Sequence, residues 1–432
     1  MQHKRAWLSL AILFALVVLS YVDRSTIILL VEPLKRDLGI SDLQISFLQG
    51  LAFALCYALA GPPLAWIADR YSRHKVIFGG VTIWSAATMG SGLTSDYHHL
   101  LAARFFVGVG EAALLPAAYS LVADLFTRRR HALAFGILSA GVSVGGSLAL
   151  AGGGALLDWA DSVGGVTLPF IGAVRPWQLV FLVAGAPGIF VAALIFLIPD
   201  MQSRSVAETA DKAALGISDW LRCHWDFVMM FTGFVTFLCA AAYAVTYWTP
   251  SFFIRVYGAT LSDFSGALAM IQLAGGLIGF IGGGYVVDRL GRRGFRNAPY
   301  VHLTGAVILL LIASVGAFWL RAGIVPSLAF LALFSIAAPY LGVVATELHM
   351  ATPRWLRSQM VAIVTAVYTL VGMIIGPSSV AFFTDGVFVG PLQLGHALTI
   401  VAVIYCPAAL LLLLLSRRGA DRAIRHAAAI SG

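Results

Sequence analysis

Charged side chains are scarce in this sequence. Only 11% of its 432 residues are Asp, Glu, Lys or Arg, whereas 60% are hydrophobic; a typical soluble domain carries roughly a quarter of charged residues. This scarcity excludes an ordinary soluble globular protein. The apolar residues form runs of about twenty, the length that a helix needs to cross the hydrocarbon of a bilayer. The sequence therefore predicts an all-α membrane protein.

Motifs for nucleotide, metal or hydrolytic chemistry are also absent. None of the four lysines follows a glycine, which excludes a phosphate-binding loop and disfavours an ATP-driven pump. No His-Glu-x-x-His segment occurs, and the four cysteines have no paired spacing typical of a metal site. We therefore predict no enzyme, no cofactor and no metal.

Twelve apolar segments are expected to span the membrane. The longest polar stretch between them, residues 199–225, is predicted to be a cytoplasmic linker between two pseudo-symmetric six-helix bundles, residues 1–198 and 226–432. The twelve segments are 7–31, 45–68, 76–95, 98–121, 132–156, 177–198, 226–250, 262–287, 299–319, 325–348, 358–382 and 394–416.

Basic residues predict the orientation. With both termini placed in the cytoplasm, 21 of the 28 Lys and Arg residues fall in cytoplasmic segments and 5 in outer loops, as the positive-inside rule requires. The formal net charge of +8 is spread over short clusters between apolar segments, which indicates membrane topology and not nucleic-acid binding. We expect a protein of the inner or plasma membrane.

A charged motif occurs twice, once in each half of the chain. Asp69-Arg70-Tyr71-Ser72-Arg73 follows the second segment, and Asp288-Arg289-Leu290-Gly291-Arg292 follows the eighth. The two aspartates are 219 residues apart, about half the chain. Such an internal repeat is typical of secondary transporters built from duplicated bundles.

These residues resemble the motif of the major facilitator superfamily, in which glycine, Asp-Arg, glycine and basic residues recur between helices 2 and 3 and between helices 8 and 9. The second copy matches, whereas the first has Ala65 and Ser72 at the glycine positions. Arg104 to Ala112, with the sequence RFFVGVGEA, is similar to the superfamily's helix 4 motif. The resemblance implies the major facilitator fold, with twelve helices and transport by alternating access.

A narrower resemblance points to the Spinster-like subgroup. It rests on Tyr21-Val22-Asp23-Arg24, on Gly108-Val109-Gly110-Glu111-Ala112 and on Ala123-Asp124-Leu125-Phe126, together with the first loop motif. Spinster-like proteins are associated with lysolipids and sphingoid lipids, and the helix 1 aspartate and helix 4 glutamate are thought to couple protons. Some symporters of organic anions share a similar Asp-Arg and Gly-Glu-Ala. The resemblance therefore leaves the substrate class open between lipids and small organic anions.

Four charged residues lie inside predicted spanning helices. Ionisable groups at such depth cost on the order of 3 kcal/mol each and usually pair or line a cavity. Asp23 and Arg24 are on helix 1, and Arg104 and Glu111 are on one face of helix 4, about two turns apart. We predict that Asp23 and Glu111 exchange protons while Arg24 or Arg104 alternately pairs with them and with an anionic substrate. The alternative is a static ion-pair network.

The repeated loop motif predicts a cytoplasmic gate. An aspartate at a helix end can face the positive end of a neighbouring helix, and arginines can bridge carboxylates there. The alternative is a solvated charge cluster that only sets topology. The expected gate residues are Asp69, Arg70, Arg73, Asp124, Asp288, Arg289 and Arg292.

The sequence thus predicts a secondary transporter. The expected substrate is an amphipathic anion of the lysolipid or sphingoid-lipid class, moved by a proton-coupled monomer in contact with membrane lipids. A symporter of small organic anions and a nontransporting membrane receptor are the alternatives.

Overall fold

The computed structural model describes residues 2–127, 130–164, 166–168, 172–198, 216–295, 297–353, 355–388, 390 and 392–431. Nearly all of this part of the chain is helical. Its two strands, β1 (Val166–Leu168) and β2 (Gly172–Val174), form one short antiparallel hairpin with Val166 opposite Val174.

Within the described ranges, eleven helices are long and apolar enough to cross a membrane. The predicted third segment is helical over α5, Arg73–Ser91, but it does not belong to these eleven. Three basic side chains open this helix, at Arg73, His74 and Lys75, and they lower its mean hydropathy. The all-α membrane class is confirmed, and the count of twelve stays a prediction.

The first of two compact units consists of Met1–Ser205 and Pro250–Leu273. Within it, α1 packs along α8, α4 packs on α6, and α5 packs on both α6 and α9. The bounds are α1 Gln2–Leu29, α2 Val31–Leu38, α3 Asp42–Ser46, a π-helical segment Phe47–Leu51, α4 Ala52–Arg70, α5 Arg73–Ser91, α6 Tyr97–Glu111, α7 Leu114–Leu125, α8 His131–Ser162, α9 Pro176–Ala193 and a 3-10 turn Leu194–Leu197.

The second unit consists of Val206–Thr249 and Ala274–Gly432. Two long helices, α11 (Trp225–Tyr257) and α12 (Leu261–Arg292), contribute residues to both units. Within the second unit, α13 packs on α14 and α17, and α16 packs on α17. The predicted division of the chain at 199–225 stays a prediction. The remaining helices are α10 Ile217–Cys223, α13 Ala298–Phe318, α14 Ile324–Ala337, α15 Leu341–Met350, α16 Arg357–Gly386 and α17 Gln393–Ser431.

Two glycines of the helix 4 motif allow α6 to approach its neighbours closely. A Cβ atom on Gly108 would lie 2.6 Å from the backbone oxygen of Phe53 in α4, and one on Gly110 would lie 2.6 Å from the backbone oxygen of Gly80 in α5. Real Cβ atoms do not come so close to backbone, so only glycine fits at both positions. Small residues serve the same purpose at other membrane helix interfaces.

Candidate functional site

Local sequence signals set both ends of α6, which carries two of the four charges. The Asp96 side chain accepts hydrogen bonds from the backbone N–H groups of His98 and His99 at 3.0 and 3.1 Å and so caps the first turn. The His99 side chain also bonds to Asp96 and is the main cause that lowers the pKa of this carboxyl group. At the other end, Pro116 has no N–H to offer to the preceding turn. Glu111 is therefore the last residue of α6, at the break before α7.

Arg24 of α1 and Glu111 of α6 form a buried ion pair. Arg24 Nη2 donates to Glu111 Oε2 at 2.5 Å, and Ser20 Oγ, one turn earlier in α1, donates to the same oxygen at 2.9 Å. The Glu111 side chain is 0% exposed and that of Arg24 is 13% exposed. The other carboxylate oxygen, Oε1, has no hydrogen-bond partner among the described groups.

Asp23 and Arg104 form a second and looser pair beside the first. Arg104 Nη1 lies 3.8 Å from Asp23 Oδ1, and each side chain is only 1% exposed. Neither carboxylate oxygen of Asp23 has a hydrogen-bond partner in the described part of the chain, and the same is true of Nε and Nη1 of Arg104. Buried charges normally satisfy their hydrogen-bonding groups. The Asp23 carboxylate can therefore accept, and the Arg104 guanidinium can donate, further hydrogen bonds.

Three aromatic rings surround the Arg24 guanidinium. Its central carbon lies 4.3 Å from the ring centroid of Phe53, 4.7 Å from that of Tyr21 and 5.6 Å from that of Tyr57. Each distance is within the range of cation–π attraction, which is about 0.5–2 kcal/mol per contact. The rings stabilise the positive charge independently of Glu111.

The sequence singled out Tyr21 only within the segment that resembles the Spinster-like subgroup, and it did not single out Ser20, Phe53 or Tyr57. Ser20 and Tyr21 precede Arg24 by one helical turn, and this spacing was a usable signal. Phe53 and Tyr57 share a face of α4 at i and i+4, but nothing in the sequence connects that face to α1. The close approach at Gly108 positions the Phe53 backbone beside α6.

The structure joins only part of the predicted gate. Arg73 Nη1 lies 2.5 Å from Asp124 Oδ2, which connects the start of α5 to the end of α7. The side chains of Asp69 and Arg70 lie outside the described residues. In the second copy of the motif, Arg289 donates to the Tyr285 hydroxyl, and Arg292 donates at 3.4 Å to the backbone oxygen of Asp288 and not to its carboxylate.

A further charged cluster within the first unit was not predicted. Arg255, near the end of α11, donates to Glu32 at 2.7 Å and to both carboxylate oxygens of Asp42 at 2.7 and 2.8 Å. Lys35 also pairs with Asp42, whose side chain is 1% exposed. From the sequence, the basic residues of these outer loops indicated only the orientation in the membrane, because the partners that pair here are more than 200 residues apart.

The paired carboxylates and guanidiniums suit proton and anion exchange. Burial disfavours the charged form of a carboxyl group, and an adjacent guanidinium favours it. An anion that draws Arg24 away would leave Glu111 buried without its counter-charge, and a bound proton would remove that cost.

Comparison with known proteins identifies the family. The model of the Major Facilitator Superfamily matches residues 13–377, and the chain belongs to this superfamily. An "MFS-type efflux pump" of Mycolicibacterium smegmatis is 30% identical over 405 residues, which cover 92% of this chain and 89% of the relative. The protein is therefore a membrane transporter and not an enzyme.

Spinster proteins and a sugar-acid carrier are among the relatives. Human "Protein spinster homolog 1" is 27% identical over 260 residues, 58% of this chain and 46% of that protein. A "D-galactonate transporter" of Escherichia coli is 24% identical over 334 residues, 72% of this chain and 73% of the relative. The solved structure of a bacterial homolog of the human lysosomal transporter Spinster, inward-facing and unoccupied, has a TM-score of 0.76 at 24% identity and covers 98% of this chain and 97% of its own. The major facilitator fold and the resemblance to the Spinster-like subgroup are confirmed.

Proposed function

We propose that this protein is a proton-coupled secondary transporter of an amphipathic anion of the lysolipid or sphingoid-lipid class, working as a monomer in the inner or plasma membrane with both termini in the cytoplasm. The observation that carries the proposal is the position of Arg24. Its guanidinium bonds to the fully buried Glu111 and at the same time contacts three aromatic rings.

The first step is competition for Arg24. Its side chain is 13% exposed, whereas those of Asp23, Arg104 and Glu111 are at most 1% exposed. An incoming anionic head therefore meets Arg24 before the other three charges. The rings of Tyr21, Phe53 and Tyr57 hold the guanidinium when it leaves Glu111, and they offer apolar contact to the carbon chain of an amphipathic substrate.

The second step is protonation. Once Arg24 binds the substrate, Glu111 is an uncompensated buried carboxylate, an arrangement that costs several kcal/mol. Uptake of a proton neutralises it, so substrate binding and proton binding favour one another. Asp23 takes the second proton-exchanging role, since Arg104 Nη1 lies 3.8 Å from its carboxylate and, among the described residues, no hydrogen bond holds the two side chains together.

Proteoliposomes with a trapped pH-sensitive dye test the proposal. Sphingosine 1-phosphate or lysophosphatidate added across a pH gradient is expected to cause proton entry with the wild-type protein. Glu111→Gln is expected to lose at least 90% of proton-driven accumulation. Such a tenfold loss corresponds to about 1.4 kcal/mol of coupling free energy. The variant is expected to retain substrate counterflow. Asp161→Asn is the matched control, because Asp161 is an exposed acid at the end of α8. Normal proton-driven accumulation by Glu111→Gln would refute proton coupling at this site.

The relationship to a D-galactonate transporter supports a second candidate, a symporter of small organic anions. The same vesicles separate the two, since D-galactonate has a carboxylate for Arg24 but, being hydroxylated along its chain, no apolar hydrocarbon tail for the rings. Proton entry with D-galactonate and none with either lipid would favour the symporter. Absence of counterflow with every probe would favour a nontransporting receptor.

The gate proposal now rests on one contact, Arg73 with Asp124. Arg73 is 7% exposed and Asp124 is 35% exposed, so the pair is partly shielded from solvent. Asp124→Asn is expected to change the ratio of inward-facing to outward-facing states. Distances between spin labels, measured by double electron–electron resonance, give this ratio. Lys75→Gln, an exposed change two residues from Arg73, is the control. An unchanged ratio in Asp124→Asn would mean that the pair only sets topology.

A further inference from the structure

Three side chains of types that can bind a metal ion meet within the second unit. Cys223 ends α10, His224 follows it, and His426 lies near the end of α17. His224 Nε2 and His426 Nδ1 are 2.9 Å apart, and one ligand atom from each of the three residues lies within 4.8 Å of the other two. His426 is 202 positions from His224, which explains why the cysteine spacing alone predicted no metal site.

The surroundings order these groups and leave one of them accessible. The Trp220 ring packs 4.2 Å from the His224 ring and 5.1 Å from the His426 ring, measured between centroids. His224 and Trp220 are buried, at 5% and 0% exposure. Cys223 is exposed. An ion can therefore reach the site from solvent, while both imidazoles are already oriented.

We propose that Cys223, His224 and His426 form a binding site for a divalent transition metal of the Zn²⁺ class. Thiolate and imidazole are the ligands that this ion prefers. The site would connect the end of the predicted linker to the C-terminal helix α17, with a fourth position open to water.

The distances require only small movements. A tetrahedral Zn²⁺ with Zn–N bonds of about 2.0–2.1 Å and a Zn–S bond of about 2.3 Å holds two nitrogens about 3.3 Å apart and nitrogen and sulfur about 3.6 Å apart. The two nitrogens at 2.9 Å would separate slightly. The sulfur, at no more than 4.8 Å, would approach by at most about 1.2 Å, which rotation of the exposed Cys223 side chain can supply.

Metal binding is linked to protonation at the site. A neutral imidazole is the form that binds metal. The ion would replace the hydrogen bond between the two rings and release the proton of the Cys223 thiol.

Cobalt provides a direct test on the full-length, tag-free protein in detergent. Co²⁺ is expected to bind at one equivalent with a thiolate-to-cobalt charge-transfer band, and Zn²⁺ to displace it. Cys223→Ser should abolish the band, and His426→Gln should weaken Co²⁺ binding at least tenfold. Cys56→Ser and His98→Ala change a cysteine and a histidine outside the cluster. They should leave the charge-transfer band and the affinity for Co²⁺ unchanged.

A second readout does not depend on cobalt. Zn²⁺ is expected to slow maleimide labelling of Cys223 at least tenfold in the wild-type protein, but not in His426→Gln. The proposal is overturned if binding is absent, if the charge-transfer band persists in Cys223→Ser, or if Zn²⁺ protects Cys223 equally without His426. Loss of transport in Glu111→Gln bears on the proposed function and leaves this test unaffected.

Discussion

The ion pair between Arg24 and Glu111 allows one prediction about stability to be worked out in magnitude. The perturbation is Glu111→Gln, which preserves the volume of the side chain and an oxygen that can still accept from Arg24 and Ser20. No cavity forms, so the change removes only charge. It leaves the guanidinium of Arg24, 13% exposed, beside a neutral partner.

Removal of one member of a buried ion pair typically costs about 3–5 kcal/mol. Here the three rings around Arg24 retain about 0.5–2 kcal/mol each of attraction for the cation, which offsets part of the loss. We therefore expect Glu111→Gln to lower the free energy of unfolding by about 2–4 kcal/mol. Arg24→Gln should lower it by about 3–5 kcal/mol, because Glu111 is 0% exposed and has no ring to compensate it.

The double variant separates the pair from its surroundings. Arg24→Gln with Glu111→Gln leaves no uncompensated charge between these two positions, so its loss should be smaller than the sum of the single losses by about 2 kcal/mol. Reversible unfolding in mixed micelles, with helicity followed by circular dichroism, gives all three values. Asp161→Asn is the control and should stay within about 0.5 kcal/mol of wild type. Additive single losses, or a wild-type value for Glu111→Gln, would refute the argument.

Two further predictions concern helix contacts outside this pair. Gly80→Ala should lower the unfolding free energy by about 1–3 kcal/mol. The new Cβ would lie 2.6 Å from Ala113 Cβ and 2.7 Å from a backbone oxygen of α6. Gly79→Ala is the control: a Cβ there would have nothing within 4 Å, so the unfolding free energy should stay unchanged or rise by up to about 1 kcal/mol. Thermal unfolding in detergent compares them, and equal midpoints would contradict the close contact. Arg255→Ala should cost about 2–4 kcal/mol, since the buried Asp42 would lose two charge-assisted hydrogen bonds. Arg36→Ala, which removes a side chain that is 68% exposed, should cost less than about 1 kcal/mol. Equal losses in Arg255→Ala and Arg36→Ala would show that the cluster contributes little to stability.

Much of the fold was readable from the residues alone because the bilayer imposes a one-dimensional constraint. A helix that crosses hydrocarbon needs a long apolar run, so the membrane class and most helix positions followed from hydropathy, and the duplicated Asp-Arg motif indicated the family. The third predicted segment shows the limit. Its helix starts among basic residues, and the chain's own composition does not establish whether α5 crosses the membrane as the other eleven can.

The sequence by itself determined which groups are unusual, and only the tertiary structure decided which groups meet. A charge within an apolar run is conspicuous without coordinates, so Asp23, Arg24, Arg104 and Glu111 could be selected, but their pairing stayed open. The contacts of Arg24 with Glu111 and of Arg104 with Asp23 depend on the rotation and spacing of α1 and α6. Rotation and spacing arise from packing at side chains and glycines far apart in the chain, which is why hydropathy and motif spacing could not supply them.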